Sequence, residues 1–153
     1  MTPKKAVNGV VVEGIDNCLV RLARCCVPLP GDDIIGFVTR GYGVAVHKCD
    51  CPNVKNADPE RLVNVHWEGY DNGYFATSLV ISAFSRIDLM ADITSALAAM
   101  RIALHSMSSK EMNDGCSEVY ITIDVHGLDH LRSVCSRLEK IRSVFKIERG
   151  TLS

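Results

Sequence analysis

The sequence predicts an α+β chain in two parts: a small β-rich module stabilised by a metal ion, followed by a ferredoxin-like βαββαβ unit. Four cysteines and a histidine cluster in a first half that is rich in short β-prone runs. The second half carries two segments with apolar residues at helical spacing and a strongly alternating strand between them. A polar, turn-rich stretch at 68–73 separates the halves. We therefore expect a β-rich module over 1–68, a linker over 69–75 and the βαββαβ domain over 76–153.

The first half contains five β-prone runs separated by glycine- and proline-containing turns. A core built from such short strands is thin, and small domains of this kind usually need a covalent or metal staple. No helix is predicted in this half. The five predicted strands are Val10–Val12, Cys18–Ala23, Ile34–Val38, Val44–His47 and Leu62–Trp67.

The second half has the order strand, helix, strand, strand, helix, strand, which defines the split βαβ unit. The order predicts an antiparallel four-stranded sheet with both helices on one face. Asp88 stands where an N-cap residue would begin the first helix. The predicted elements are a strand over Thr77–Phe84, a helix carrying Leu89, Ile93, Leu97 and Met100, an extended segment over Ile102–Ser108, a one-face-buried strand over Glu118–His126, a helix carrying Leu131, Val134, Cys135 and Leu138, and a strand over Ser143–Arg149.

Composition limits the classes of protein that the chain can belong to. Of the 153 residues, 47% are apolar, which supports a packed core, and the net charge of −1 excludes a broadly basic nucleic-acid-binding surface. Any contact with nucleic acid must therefore come from a local patch. No apolar run approaches the roughly 20 residues of a membrane span, so no membrane partner is expected. Seven cysteines without the spacing of a secreted disulfide scaffold favour a reducing, cytoplasmic location.

Four residues have the chemistry of a closed zinc site: Cys25, Cys26, His47 and Cys51. Four protein ligands leave no open position for water, so the Zn²⁺ would be structural and hydrolysis is not implied. Cys49 is an ambiguous neighbour, which could compete for the ion or remain a free thiol. The alternative for any of these cysteines is a buried, inert thiol. That alternative suits the isolated Cys18, Cys116 and Cys135 better than the cluster.

Residues 19–41 and 43–53, which contain this cluster, resemble the C-terminal region of RelA/SpoT stringent-response enzymes. The following βαββαβ unit resembles the ACT domain that ends those proteins. The resemblance implies that Cys25, Cys26, His47 and Cys51 are the zinc-finger positions of the family. It also implies a parent enzyme that makes, and often degrades, (p)ppGpp from ATP and GDP or GTP. The catalytic domains of the family precede this segment, so the chain itself is expected to be catalytically silent.

The resemblance further implies docking on the ribosome near uncharged tRNA, with contacts to large-subunit rRNA. It implies control of the distant catalytic domains and self-association, here expected as a homodimer. By position, the candidates for RNA contact are Arg21, Arg24, Arg40, Tyr42 and Lys48. Their cations could pair with phosphates, and Tyr42 could stack on an unpaired base. The alternative is a solvated loop with ordinary surface charge.

ACT domains commonly bind an amino acid near the turn between the first strand and the first helix. Here that turn contains the candidates Ile87, Asp88 and Leu89. Asp88 stands where the family usually has glycine, and its carboxylate would cap the helix and repel a ligand carboxylate. An amino-acid-sensing ACT module is therefore the alternative function, and a dimerisation tail with incidental metal is a third.

Overall fold

The computed structural model describes residues 8–15, 18–41, 43–70 and 73–152. The chain divides into two units between Gly73 and Tyr74. Both units contain strands and helices, so the predicted α+β class is confirmed. None of the helices in the described ranges is long and apolar enough to cross a membrane.

The first unit contains two small sheets. One is four-stranded in the order β2-β4-β3-β5, and the other pairs β1 with β6. Strands β2 and β4 are parallel, and the other pairs are antiparallel. The elements are β1 (Val10–Val12), β2 (Val20–Leu22), β3 (Ile34–Thr39), β4 (Gly43–Lys48), α1 (Pro52–Lys55), a 3₁₀ turn (Pro59–Arg61), β5 (Leu62–Val63) and β6 (Val65–Trp67).

Valine side chains from both sheets form the core of this unit. The buried members are Val10, Val12, Val20, Val44 and Val46. Gly36 on β3 allows close packing here, because a Cβ at this position would lie 2.8–2.9 Å from methyl groups of Val44, Val63 and Val65. The core is small, which agrees with the thin core expected from the short predicted strands.

Two helical turns in this unit contradict the prediction that it contains no helix. Both begin with proline, which is favoured at the first helical position because it has no N–H to leave unpaired. In the second, the Asp58 carboxylate accepts the Glu60 N–H at 3.0 Å. Neither turn is long enough to show helical periodicity in the sequence. The predicted strand Leu62–Trp67 is also interrupted at Asn64, and its two pieces join different sheets.

The second unit is a four-stranded antiparallel sheet in the order β10-β7-β9-β8, with two helices. This is the predicted split βαβ arrangement. Helix α3 contacts α2, β9 and β10. The elements are β7 (Phe75–Phe84), α2 (Leu89–Ala99), β8 (Leu104–Glu111), β9 (Cys116–Val125), α3 (Leu128–Glu139) and β10 (Val144–Arg149).

The alternation predicted for the central strand β9 is confirmed. Val119, Ile121, Ile123 and Val125 are at most 1% exposed, whereas the residues between them are only half-buried. Leu79 on β7 lies opposite Ile121, so apolar side chains of neighbouring strands meet on one face. The helices cover that face with their own apolar residues, including Ile93 and Leu138.

Asp88 occupies the N-cap position of α2, but its side chain makes no capping hydrogen bond. The expectation that its carboxylate caps the helix was therefore wrong. The backbone at Asp88 (φ −89°, ψ 4°) lies outside the extended region that N-cap residues typically adopt to aim their side chain at the first turn.

A histidine side chain forms a hydrogen bond at the start of α3. The Nδ1 atom of His130 accepts the His126 N–H at 2.9 Å, and the two rings stack with centroids 5.1 Å apart. Burial, together with the nearby His126, lowers the pKa of His130 below its ordinary value of 6.5. The neutral ring is therefore the form that the folded state holds.

We expect the ACT-like unit to lose stability as the pH falls from above 6.5 towards the lowered pKa of His130, because the unfolded chain takes up this proton first. Chemical denaturation at a series of pH values measures the effect. The matched variant His130→Gln keeps an acceptor that does not titrate in this range, so its profile should be flatter. Identical profiles for the two proteins would contradict this role of His130.

Candidate metal centre

The four candidate ligands come from three places in the first unit. The vicinal pair Cys25 and Cys26 lies in the turn after β2, His47 lies near the end of β4, and Cys51 immediately precedes α1. Because β2 and β4 are adjacent and parallel, the turn after β2 lies beside the end of β4. The loop after β4 then returns Cys51 to the same point.

The ligand atoms of Cys25, Cys26, His47 and Cys51 all lie within 4.8 Å of one another. The Cys25 and Cys51 sulfurs are 3.7 Å apart, and His47 Nδ1 lies 3.4 Å from Cys25 Sγ and 3.7 Å from Cys26 Sγ. Donors on a tetrahedron with metal–sulfur bonds of about 2.3 Å and metal–nitrogen bonds of about 2.0–2.1 Å would be separated by about 3.5–3.8 Å. The cluster therefore has the size needed to hold one tetrahedral metal ion.

Electrostatics in the cluster favour a bound cation. Burial is the main cause that raises the pKa of the Cys26 thiol to about 12; the Lys48 N–H opposes the rise, and the adjacent Cys51 and Cys25 thiols add to it. Burial also opposes ionisation of Cys25, but hydrogen bonds with Asn53, Cys51 and Cys26 outweigh it and lower the pKa of that thiol. Several thiolates cannot share so small a volume unless a cation offsets their repulsion.

The imidazole is held in the form that binds metals. Burial, and secondarily the Arg21 guanidinium, lower the pKa of His47, so the neutral ring is favoured. The Lys48 N–H donates to Cys26 Sγ at 3.3 Å and anchors that sulfur to β4. Val27, the residue after the vicinal pair, has φ +49°, a conformation that costs energy for a β-branched residue.

Cys49, the ambiguous fifth residue, is not a member of the cluster. Its thiol is exposed, and its N–H donates to the Asp33 carbonyl at 2.9 Å. Burial, with the charges of Asp33 and Asp50, raises the pKa of Cys49. It is thus the natural control residue for experiments on the other cysteines.

The candidate RNA-contacting residues fall into two groups. Arg21 and Arg24 are exposed beside the cysteine–histidine cluster, and Lys48 lies at the same end of β4, with Nζ 3.7 Å from Asp50 Oδ1. Arg40 is exposed in the β3–β4 turn, at the other end of the hairpin. A strand of six residues separates the two ends by about 17 Å. Tyr42 lies outside the described residues.

An open cavity of about 500 Å³ adjoins the cluster. Arg21 and Arg24 contribute to its lining, and Cys25 and His47 connect it to the metal ligands. The remaining lining residues are Leu22, Ala23 and Ala45. The cavity combines cationic groups with a small apolar floor, a feature that the sequence pattern did not predict.

Phe37 and Arg61 form a second feature that the sequence pattern did not predict. Phe37 lies opposite Ala45 in the β3–β4 pair, and Arg21 lies opposite Ala45 in the β2–β4 pair, so all three share one row across the sheet. The Arg61 guanidinium lies over the Phe37 ring, 4.7 Å from its centroid. This is a cation–π pair that extends the positive surface beside Arg21.

In the candidate ligand-binding turn of the second unit, two of the three candidate residues are exposed and one is buried. Ile87 is 99% exposed and Asp88 is exposed, but Leu89 is buried in the core. Arg86 donates to Asp92 Oδ2 at 2.6 Å and to the Arg142 carbonyl at 2.9 Å. Its cation is thus already paired with a carboxylate of the same chain.

Two sequence families match the chain. Residues 10–68 match the RelA/SpoT RIS domain, and residues 71–149 match the ACT domain. The GTP pyrophosphokinase of Streptomyces coelicolor is 36% identical over 145 residues, which cover 94% of this chain and 17% of that protein. The GTP pyrophosphokinase of Escherichia coli is 36% identical over 148 residues, which cover 93% of this chain and 20% of that protein.

Among solved structures, the crystal structure of the ACT domain from GTP pyrophosphokinase of Chlorobium tepidum covers 50% of this chain and 97% of its own chain. Its identity is 21% and its TM-score is 0.44. The solution structure of the same domain has 20% identity and a TM-score of 0.46, and covers 52% of this chain and 90% of its own.

The chain belongs to the RelA/SpoT family and consists of a RIS domain followed by an ACT domain. The resemblance drawn from residues 19–53 is thus confirmed at the level of the family. The chain spans only 17–20% of the length of these curated relatives.

Proposed function

We propose that this chain is the non-catalytic regulatory segment of a cytoplasmic (p)ppGpp synthetase/hydrolase, a GTP pyrophosphokinase of the stringent response. In this proposal the segment docks on the ribosome, contacts large-subunit rRNA and tRNA, and controls the catalytic domains of its parent. The observation that carries the proposal is the position of Arg21 and Arg24, which are exposed beside the cysteine–histidine cluster of a RIS domain. The relatives, which are named GTP pyrophosphokinases, support the same reading.

The metal in this proposal is Zn²⁺. Three sulfurs and one imidazole nitrogen, all within 4.8 Å of one another, form a donor set typical of structural zinc. The ion would hold the turn that carries Arg21 and Arg24 against the end of β4. It would therefore act on docking indirectly, by fixing the positions of cations that contact phosphates.

Self-association through the ACT domain is part of the proposal. Strand β8 lies at one edge of the sheet, and most of its residues are exposed. Residues 104–109 contain no Lys, Arg, Asp or Glu, whereas the other edge strand, β10, carries Lys146 and Glu148. Both edge strands have a register irregularity. Because charged side chains on an edge strand oppose pairing with another strand, the 104–109 part of β8 is the edge more available to a second copy. A chain that remains monomeric in sedimentation velocity at high concentration would exclude this part of the proposal.

Ribosome co-sedimentation tests the docking function. We expect the double variant Arg21→Gln/Arg24→Gln to pellet with ribosomes more weakly than the wild type. If each arginine contacts one phosphate, the slope of log affinity against log salt should fall by about 0.7–0.9 per arginine. The matched control is Arg137→Gln, which removes an exposed arginine from α3. Arg40→Gln tests the other end of the hairpin separately.

The possible results of this experiment test docking by the segment and contact by the two arginines separately. Failure of the wild type to pellet at low salt would remove docking by this segment. Equal pelleting and equal salt slopes for the wild type and the double variant would remove Arg21 and Arg24 from the interface. A loss in Arg137→Gln as large as that in the double variant would show that the effect is general charge and not a local contact.

A further inference from the structure

The outer face of the RIS sheet carries a row of side chains that does not belong to the valine core. Arg21, Ala45, Phe37 and Leu62 are opposite one another on four neighbouring strands. Their sequence neighbours Val20, Val44 and Val46 are in the core, so this row points the other way. Ala45 is only 3% exposed because its larger neighbours rise on both sides of it.

The row and the cavity adjoin each other, because Arg21 and Ala45 belong to both. Ala23, Ala45 and His47 contribute to the lining of the cavity. Phe37 is not one of its lining residues, but it lies opposite Ala45 on the neighbouring strand. Arg21 and Arg24 supply positive charge at the cavity. A volume of about 500 Å³ lies within the range of cavities that bind small ligands.

The Phe37–Arg61 pair adds a flat platform next to Ala45. The ring centroid and the guanidinium carbon are 4.7 Å apart, so the arginine is held over the ring. Unpaired bases in RNA stack on both aromatic rings and guanidinium planes. Arg21 lies in the same row as Phe37, with Ala45 between them, so a nucleotide whose base lies on Arg61 and Phe37 has a cation for its phosphate on the same face.

We propose that a slot formed by Arg21, Ala45, Phe37 and Arg61 binds one unpaired nucleotide of RNA. The proposal rests on the docking function above and adds to it a preference for RNA with an extruded base over a continuous duplex. Phe37 and Arg61 would provide this preference, while Arg21 and Arg24 would contribute affinity that does not depend on base pairing.

The test uses the zinc-loaded 153-residue chain and two RNA hairpins of equal length. One is fully paired, and the other has a single bulged 2-aminopurine, whose fluorescence reports stacking. We expect the wild type to bind the bulged hairpin about tenfold more tightly, since one stacked base corresponds to roughly 1–3 kcal/mol. Phe37→Leu and Arg61→Gln should each bring this ratio close to one. Phe145→Leu makes the same substitution at an exposed phenylalanine of the ACT domain and should leave the ratio unchanged.

Three results would overturn the proposal. The first is a wild-type ratio near one, the second is an unchanged ratio in both Phe37→Leu and Arg61→Gln, and the third is a loss of ratio in Phe145→Leu as well. Competition by free adenosine monophosphate at the concentration of the RNA would assign the slot to free nucleotides and overturn its assignment to RNA. If the wild type still pellets with ribosomes but binds the bulged and paired hairpins equally well, only the proposal of the slot is refuted. If the wild type does not pellet at all, the docking function fails.

Discussion

Removal of zinc from the zinc-loaded chain is expected to unfold the RIS domain and to leave the ACT domain folded. The RIS core consists of a few valines on short strands, whereas structural zinc contributes on the order of 10–16 kcal/mol in small metal-binding domains. Typical domain stability is only about 5–15 kcal/mol. The metal term is thus as large as the whole stability that such a domain could have, and its loss is not offset by the remaining contacts.

Trp67 makes this expectation easy to measure. It is the only tryptophan of the chain, it packs against the RIS core, and its indole N–H donates to the Asp32 carbonyl at 3.0 Å. A chelator should therefore shift tryptophan emission to the red. Far-UV circular dichroism should retain the contribution of the ACT helices, which lie in the other unit.

A pair of cysteine variants provides the control for chelation. Cys51→Ser removes a donor that lies 3.7 Å from Cys25 Sγ and should give the red-shifted emission without chelator. Cys49→Ser removes an exposed thiol two residues away and should keep one zinc per chain by elemental analysis. The metal-dependent fold would be refuted if chelated protein kept its native emission, or if purified protein contained no stoichiometric zinc.

The parts of the fold that sequence predicted well are those in which one physical signal repeats along the chain. The alternation from Val119 to Val125 reports a strand with one covered face, and the spacing of Leu131, Val134 and Leu138 reports a helix on that face. The strand signal contains three periods and the helix signal about two turns, so neighbouring residues do not obscure them. The helical turns at Pro52 and Pro59 have no complete period, and only their prolines mark them.

The functional features that sequence did not predict depend on contacts between distant residues. Arg86 bonds the carbonyl of a residue 56 positions away, and the side chain of Arg61 lies on Phe37 although they belong to different elements. Neither pairing has a local pattern, because each follows from strand order and register. The cysteine–histidine cluster was predictable because cysteine and histidine are the typical ligands of structural zinc. Few combinations of these residues in the first half could therefore form the site.

Ile121→Ala is expected to have the largest effect of any single substitution in the ACT domain that we consider. Ile121 is 1% exposed on β9, between Leu79 of β7 and Met107 of β8. Truncation removes buried methyl groups and leaves a cavity that strands on both sides prevent from closing. The expected loss is about 2–5 kcal/mol in the free energy of unfolding, which corresponds to a decrease in Tm on the order of 10 °C or more for a domain of this size.

Thr122→Ala is the matched control, because it changes the next residue of the same strand and the side chain lies on the opposite, half-exposed face. Its loss should stay below about 1 kcal/mol. Urea denaturation followed by far-UV circular dichroism measures both, and the midpoint should fall in Ile121→Ala with little change in the slope m. Equal losses for the two variants would mean that the helix-covered face of the sheet does not carry the stability of the domain. Backbone pairing is the same at both positions. The difference in the loss of unfolding free energy must therefore come from the face of the sheet on which each side chain lies.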